Sequence, residues 1–133
     1  MDMKKIIAIF LLFIFVSCYK KYTYTEIAMD NGIKVIKKNE TIRAKDDRQA
    51  YFKACRNIGI SFMAYDMMKK NLDEGILLHI QKPIYFILLN DKNIDITHTV
   101  ILGSESKEYK LIEDIYPSVI ELINKKTILK QNP

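Results

Sequence analysis

Residues 46–71, DDRQAYFKACRNIGISFMAYDMMKKN, carry the longest periodic pattern in the chain. Asp46 has the chemistry of a helix N-cap, and Gln49, three residues on, completes a capping box. Tyr51, Cys55, Ile58, Phe62 and Tyr65 then recur at spacings of four and three, which places them on one face of a helix. Gly59 interrupts the pattern, and a mid-helix glycine is worse than alanine by about 1 kcal/mol. The stripe stays in phase across it, so the segment reads as a single helix. Its second half is apolar nearly all round, because Ile60, Met63 and Met67 point away from the main stripe. Such a helix is usually buried, which predicts a central helix packed on both sides. The alternative is a partner-binding surface at Ile60, Met63 and Met67, since methionine adapts to varied shapes.

The flanking segments read as strands. Asn31-Gly32 suits a type I′ turn, whose two central residues need positive φ, and residues 26–30 and 33–37 flank it as a β-hairpin. Residues 76–80 form a further candidate strand. Pro83 interrupts it, and the apolar run Ile84-Tyr85-Phe86-Ile87-Leu88-Leu89 suits a strand covered on both faces. Residues 90–93 read as a turn. Ile94, Ile96, His98, Val100 and Leu102 then alternate with polar residues, as in a half-buried strand with His98 inward.

From 106 to 126, Ile112, Ile115, Tyr116, Val119 and Ile123 form one helical stripe. Pro117 lies in its middle, where proline removes a hydrogen bond and kinks a helix. The stripe keeps phase, which predicts one kinked helix rather than two. Together these elements predict an α+β fold: a small, mainly antiparallel sheet packed against one long helix and a kinked C-terminal helix.

The chain opens with a basic pair, Lys4 and Lys5, an unbroken apolar run from Ile6 to Val16, then Ser17 and Cys18. A basic start, a short apolar stretch and a small residue describe a secretory signal. The run is shorter than the roughly 20 residues that span a bilayer. With the cysteine after the small residue, Phe15-Val16-Ser17-Cys18 resembles the lipobox of bacterial lipoproteins. That resemblance covers only the first 18 residues. It departs from the family at Phe15, where leucine is usual, and at Asp2, in a region normally positive. It implies that residues 1–17 are removed, that the Cys18 thiol carries a diacylglycerol group, and that the domain is exported and lipid-anchored to a membrane of the cell envelope. A signal cut nearby, with Cys18 incidental, and an uncleaved anchor are the alternatives. Residues 18–25 then read as a lipid-attached tether, 26–126 as a single globular domain and 127–133 as a frayed tail.

Nearly half the residues are apolar, enough for one core and against disorder. The net charge of +5 is spread over lysines interspersed with acids, and no arginine cluster marks a nucleic-acid surface. With Cys18 assigned to lipid, Cys55 stands alone and no internal disulfide can form. Cys55 sits in the helical stripe and reads as a small buried hydrophobe. Asp91, Asn93 and Asp95 begin like a calcium loop, but Ile96 and Leu102 replace the glycine and glutamate such a loop needs. His79 and His98 are the only histidines, too few for a catalytic zinc site. No nucleophile elbow or phosphate-binding loop is present, so no catalytic residue, metal or cofactor is assigned. The expectation is a membrane-anchored lipoprotein with a small, non-catalytic domain that binds a protein or envelope component. An immunity or inhibitor protein against an envelope-acting toxin or hydrolase is one alternative. An enzyme without a recognisable motif is the other.

Overall fold

A computed structural model describes residues 2–77 and 79–131. The fold is α+β. A helix α1 (Met3–Ser17) precedes the hairpin of β1 (Lys20–Asp30) and β2 (Ile33–Ala44). The long helix α2 (Asp47–Asn71) follows, then the single turn α3 (Glu74–Leu77) and the strand β3 (Lys82–Leu89). Two helices, α4 (Lys107–Ile115) and α5 (Pro117–Gln131), end the described chain. The sheet is antiparallel in the order β2-β1-β3, so β1 is central.

The hairpin turns at Asn31 and Gly32, whose φ angles of 52° and 82° are the positive values the sequence demanded. Its strands are much longer than expected. Residues 20–25, expected as part of a tether, are the first half of β1, and Tyr22 and Tyr24 are buried in the core. Their alternation with Thr23 and Thr25 is a strand pattern, and pairing with both β2 and β3 fixes it. The globular domain therefore begins near residue 20, not residue 26.

α2 starts as expected. The Asp46 carboxylate accepts the Gln49 backbone N–H at 2.8 Å. The Gln49 side chain reaches back one residue further than a regular capping box and accepts the Lys45 N–H at 2.7 Å. Tyr51, Cys55 and Ile58 are buried, whereas Phe62 and Tyr65 are only half-buried. Beyond Ser61 no residue of α2 is buried, so the expectation of a helix covered on both sides fails for its second half. Helical period identifies the inward face but not where the core stops.

Gly59 has a tertiary reason. A Cβ there would lie 2.5 Å from Tyr116 Cγ and 2.9 Å from Tyr116 Cβ. The glycine lets the junction of α4 and α5 close on α2. Tyr116 is also where the expected kinked helix becomes two. Its backbone leaves the helical region (φ −128°, ψ 63°), and Pro117 begins α5, where a missing N–H costs nothing. Ile112, Val119 and Ile123 of the expected stripe are buried; Ile115 is exposed. α5 continues through Thr127, where a frayed tail was expected, to Gln131; residues 132 and 133 lie outside the described residues.

Among the described residues, two expected strands are absent. Residues 76–80 hold the end of α3 and a turn, and Leu78 lies outside the described residues. Residues 94–102 keep only one bridge, Leu89 to Asp95. The Thr97 hydroxyl accepts the Leu88 N–H at 2.8 Å and displaces the backbone acceptor that would continue a ladder. Ile96, Val100 and Leu102 still point inward, but His98 is exposed. β3 is an edge strand rather than a doubly covered one: Phe86 and Leu88 are buried, and Ile84, Tyr85, Ile87 and Leu89 are half-buried. Pro83 is tolerated within it beside a bulge at the β1–β3 register shift.

Gly59→Ala in the full chain should lower stability by about 1–3 kcal/mol, because overpacking against Tyr116 outweighs the gain in helix propensity. In a Tyr116→Ala background the same change should be neutral or stabilising. Urea denaturation of the four proteins measures both, and a stabilising Gly59→Ala in the parent would contradict the contact.

Candidate functional site

Three places in the fold concentrate chemistry. The first lies under α2. Glu26 is fully buried on the inner face of β1. The register slips between Glu26 and Ile27 against β2, leaving Lys37 as the extra residue of a bulge. That bulge brings Lys37 Nζ to 3.7 Å from Glu26 Oε2. The Tyr24 hydroxyl and the Ser61 hydroxyl, the latter at 2.9 Å, both donate to Glu26 Oε1. Glu26 Oε2 is left without a hydrogen bond. Burial, then the bond to Glu26, pushes the Tyr24 hydroxyl far above its ordinary range. A buried carboxylate is unfavourable unless its oxygens are satisfied, and here hydroxyls from two elements serve one of them. Sequence reading placed Glu26 in the hairpin but missed its burial, because its partners come from positions 37 and 61.

The second place is a cleft of about 520 Å³ between β3 and α5. Tyr51, Ile84, Phe86 and Leu122 line it with Asp95, His98 and Lys125. Its size suits a small ligand or a side chain. Asp95 Oδ1 already accepts the Thr97 N–H at 2.9 Å and the Thr97 hydroxyl at 2.6 Å. Burial raises the Tyr51 hydroxyl well above its ordinary range, and its bond to Cys55 adds to this. Cys55 itself is buried. The cleft offers an apolar surface with a polar rim.

The third place is the outer face of α2. Ile60, Met63 and Met67 are 52%, 47% and 65% exposed, so the partner-binding residues expected from the sequence do reach solvent. Leu72 and Ile76, just past the end of α2, are also exposed. At the other end of the helix, Arg48 forms a fork with Glu108 of α4, Nε to Oε1 at 3.3 Å and Nη2 to Oε2 at 3.2 Å. The Arg48 guanidinium holds the Glu108 carboxyl below its usual range.

The segment from Asp91 to Asp95 is a turn. Asn90 Oδ1 accepts the N–H groups of Lys92 and Ile94, both at 2.9 Å, and Asn93 sits at φ 61°. His79 and His98 are both exposed. Among the described residues, no three His, Cys, Asp or Glu side chains are placed to hold a metal ion. Cys18 is exposed, between the end of α1 and the start of β1. Comparison with known proteins finds no matching family model, no matching curated protein and no matching solved structure.

Met67→Lys should change stability by no more than about 0.5 kcal/mol, as surface substitutions do. Ile58→Ala, one helical face away, should cost about 2–5 kcal/mol. Chemical denaturation of both variants checks the division of α2, and comparable losses would contradict it.

Proposed function

We propose that this chain is a lipid-anchored lipoprotein of the bacterial cell envelope whose domain acts by binding. The observation that carries the reading is the junction of α1, Cys18 and β1. Ile6, Ile7, Ile9, Phe10 and Leu11 of α1 are all about half exposed or more. Among the described residues, α1 makes no extended contact with another element. Side chains this apolar in one helix call for a membrane environment or for removal. No described helix is long and apolar enough to cross a membrane; the 15 residues of α1 reach about 22 Å, against a hydrocarbon core of about 30 Å. A short, apolar, removable helix is what a signal peptide needs.

Cleavage before Cys18 fits the packing. Among the residues whose burial is described, the core begins at Tyr22, and Ile6 to Leu11 of α1 stand outside it. The exposed thiol of Cys18 is open to acylation. Two or more acyl chains anchor stably, where one holds only marginally. Binding is then assigned to the exposed Ile60, Met63 and Met67 of α2, a methionine-rich surface suited to a protein partner in the envelope.

Mass spectrometry of the chain extracted from membranes should show Cys18 as the first residue, bearing lipid. Cys18→Ala should shift the domain from the membrane to the soluble fraction with its melting temperature unchanged. An intact Met1, or a first residue other than a modified Cys18, would reject the reading.

A further inference from the structure

We infer that the end of the domain nearest Cys18 is a docking surface for anionic phospholipid headgroups. This inference rests on the lipid-anchor reading of Cys18. The start of β1, the end of β2 and the start of α2 meet at one end of the sheet, since Lys20 pairs with Ala44 and Lys21 with Arg43. Six cations gather there: Lys20, Lys21, Arg43, Lys45, Lys53 and Arg56. Lys45 and Lys53 both lie over the Tyr19 ring, 5.9 Å and 6.0 Å from its centre. Lys53 Nζ also donates to the Arg43 carbonyl at 2.7 Å. Arg43, Lys53 and Arg56 line a groove of about 370 Å³ with Ile42 and Asn57, and no carboxylate lines it.

Among the described residues, none of these six cations is ion-paired. The nearest acids on α2 and its cap are already engaged. Asp46 caps the helix, and Asp47 accepts the Tyr22 hydroxyl at 2.7 Å. Glu40 of β2 and Asp91, in the turn after β3 and close enough to act on the Tyr22 hydroxyl, are the other acids of this end, and neither lines the groove.

Reach decides the matter. One residue, Tyr19, separates Cys18 from the first residue of β1, and the two steps span at most about 7 Å. The acyl chains of a lipidated Cys18 must enter the bilayer, which puts Lys20 within about one Debye length, 8 Å, of the headgroups. A tether over residues 18–25 would have allowed about 28 Å and largely screened the attraction. Clusters of four to eight cations beside a membrane anchor attract anionic lipid, each cation near the surface contributing about fivefold in partitioning. The Tyr19 ring, flanked by two ammonium groups, sits where aromatic residues favour the interface.

The test uses the full chain bound to vesicles of phosphatidylcholine alone, or of phosphatidylcholine with phosphatidylglycerol. Flotation reports anchoring, and lysine acylation rates in the floated chain report docking. Anionic vesicles should slow labelling of Lys45 and Lys53 by roughly fivefold relative to neutral ones. Lys34, beside the hairpin turn at the opposite end of the sheet, and Lys70, near the end of α2, should be unaffected. Raised salt, or Arg43→Glu with Arg56→Glu, should abolish the difference. Equal labelling of Lys45 and Lys53 on both vesicle types overturns the docking surface, whatever the flotation. Flotation with anionic vesicles alone, with labelling slowed relative to the unbound chain, upholds docking but rejects the hydrophobic anchor. Flotation with neither rejects both.

Discussion

The burial of β1 between two neighbours is the constraint on which the other contacts depend. β1 is hydrogen-bonded along both edges, and its inner face carries Tyr22, Tyr24 and Glu26 beneath α2. Tyr24 and Tyr51 of α2 meet on Phe86 of β3, with ring centres 5.7 Å and 5.6 Å apart. Tyr22 ties the start of β1 to the start of α2 through Asp47, and Arg48 carries the connection on to α4. Each of these contacts needs β1 in register. A central strand that starts two residues after Cys18 leaves no slack, so a lipid on that cysteine would be coupled to the core and not to a loose arm.

α2 itself is divided by burial. Its buried positions run from Ala50 to Ser61, about 16 Å of a helix about 37 Å long. Ile60, on the outer side of that stretch, and Met63 and Met67 beyond it are exposed. Asp47 and Met67 are about 30 Å apart along the axis. In the proposed anchoring, the basic end lies on the headgroups and the methionine face stands away from them, where an envelope protein could reach it.

The sequence revealed the parts of the fold governed by local rules. Asp46 with Gln49 marked the start of α2, and Asn31-Gly32 marked the hairpin turn. It misled where tertiary partners decide. Lysines among residues 19–25 suggested solvent, yet the period of two in Tyr22-Thr23-Tyr24-Thr25 was a strand signal that needed β3 as the second neighbour. The alternation from Ile94 to Leu102 was real for Ile96, Val100 and Leu102, but the Thr97 side chain took the place of a ladder bond. Pro117 was read as a kink, whereas Tyr116 against Gly59 makes a break. Of the candidate site, the exposed Ile60, Met63 and Met67 were legible as the residues off the main stripe. The basic end was not, because Lys20, Lys45 and Arg56 converge only once β1, β2 and α2 are assembled.

Amide hydrogen exchange over residues 20–25 tests most directly whether the fold begins at the anchor. As part of a central strand, the amides of Tyr22, Tyr24 and Thr25 should exchange as slowly as those of Ala54 and Ile58 in the buried half of α2, by global unfolding. Exchange of these amides at free-peptide rates, with α2 still protected, would mean that a tether separates Cys18 from the domain and would contradict the account.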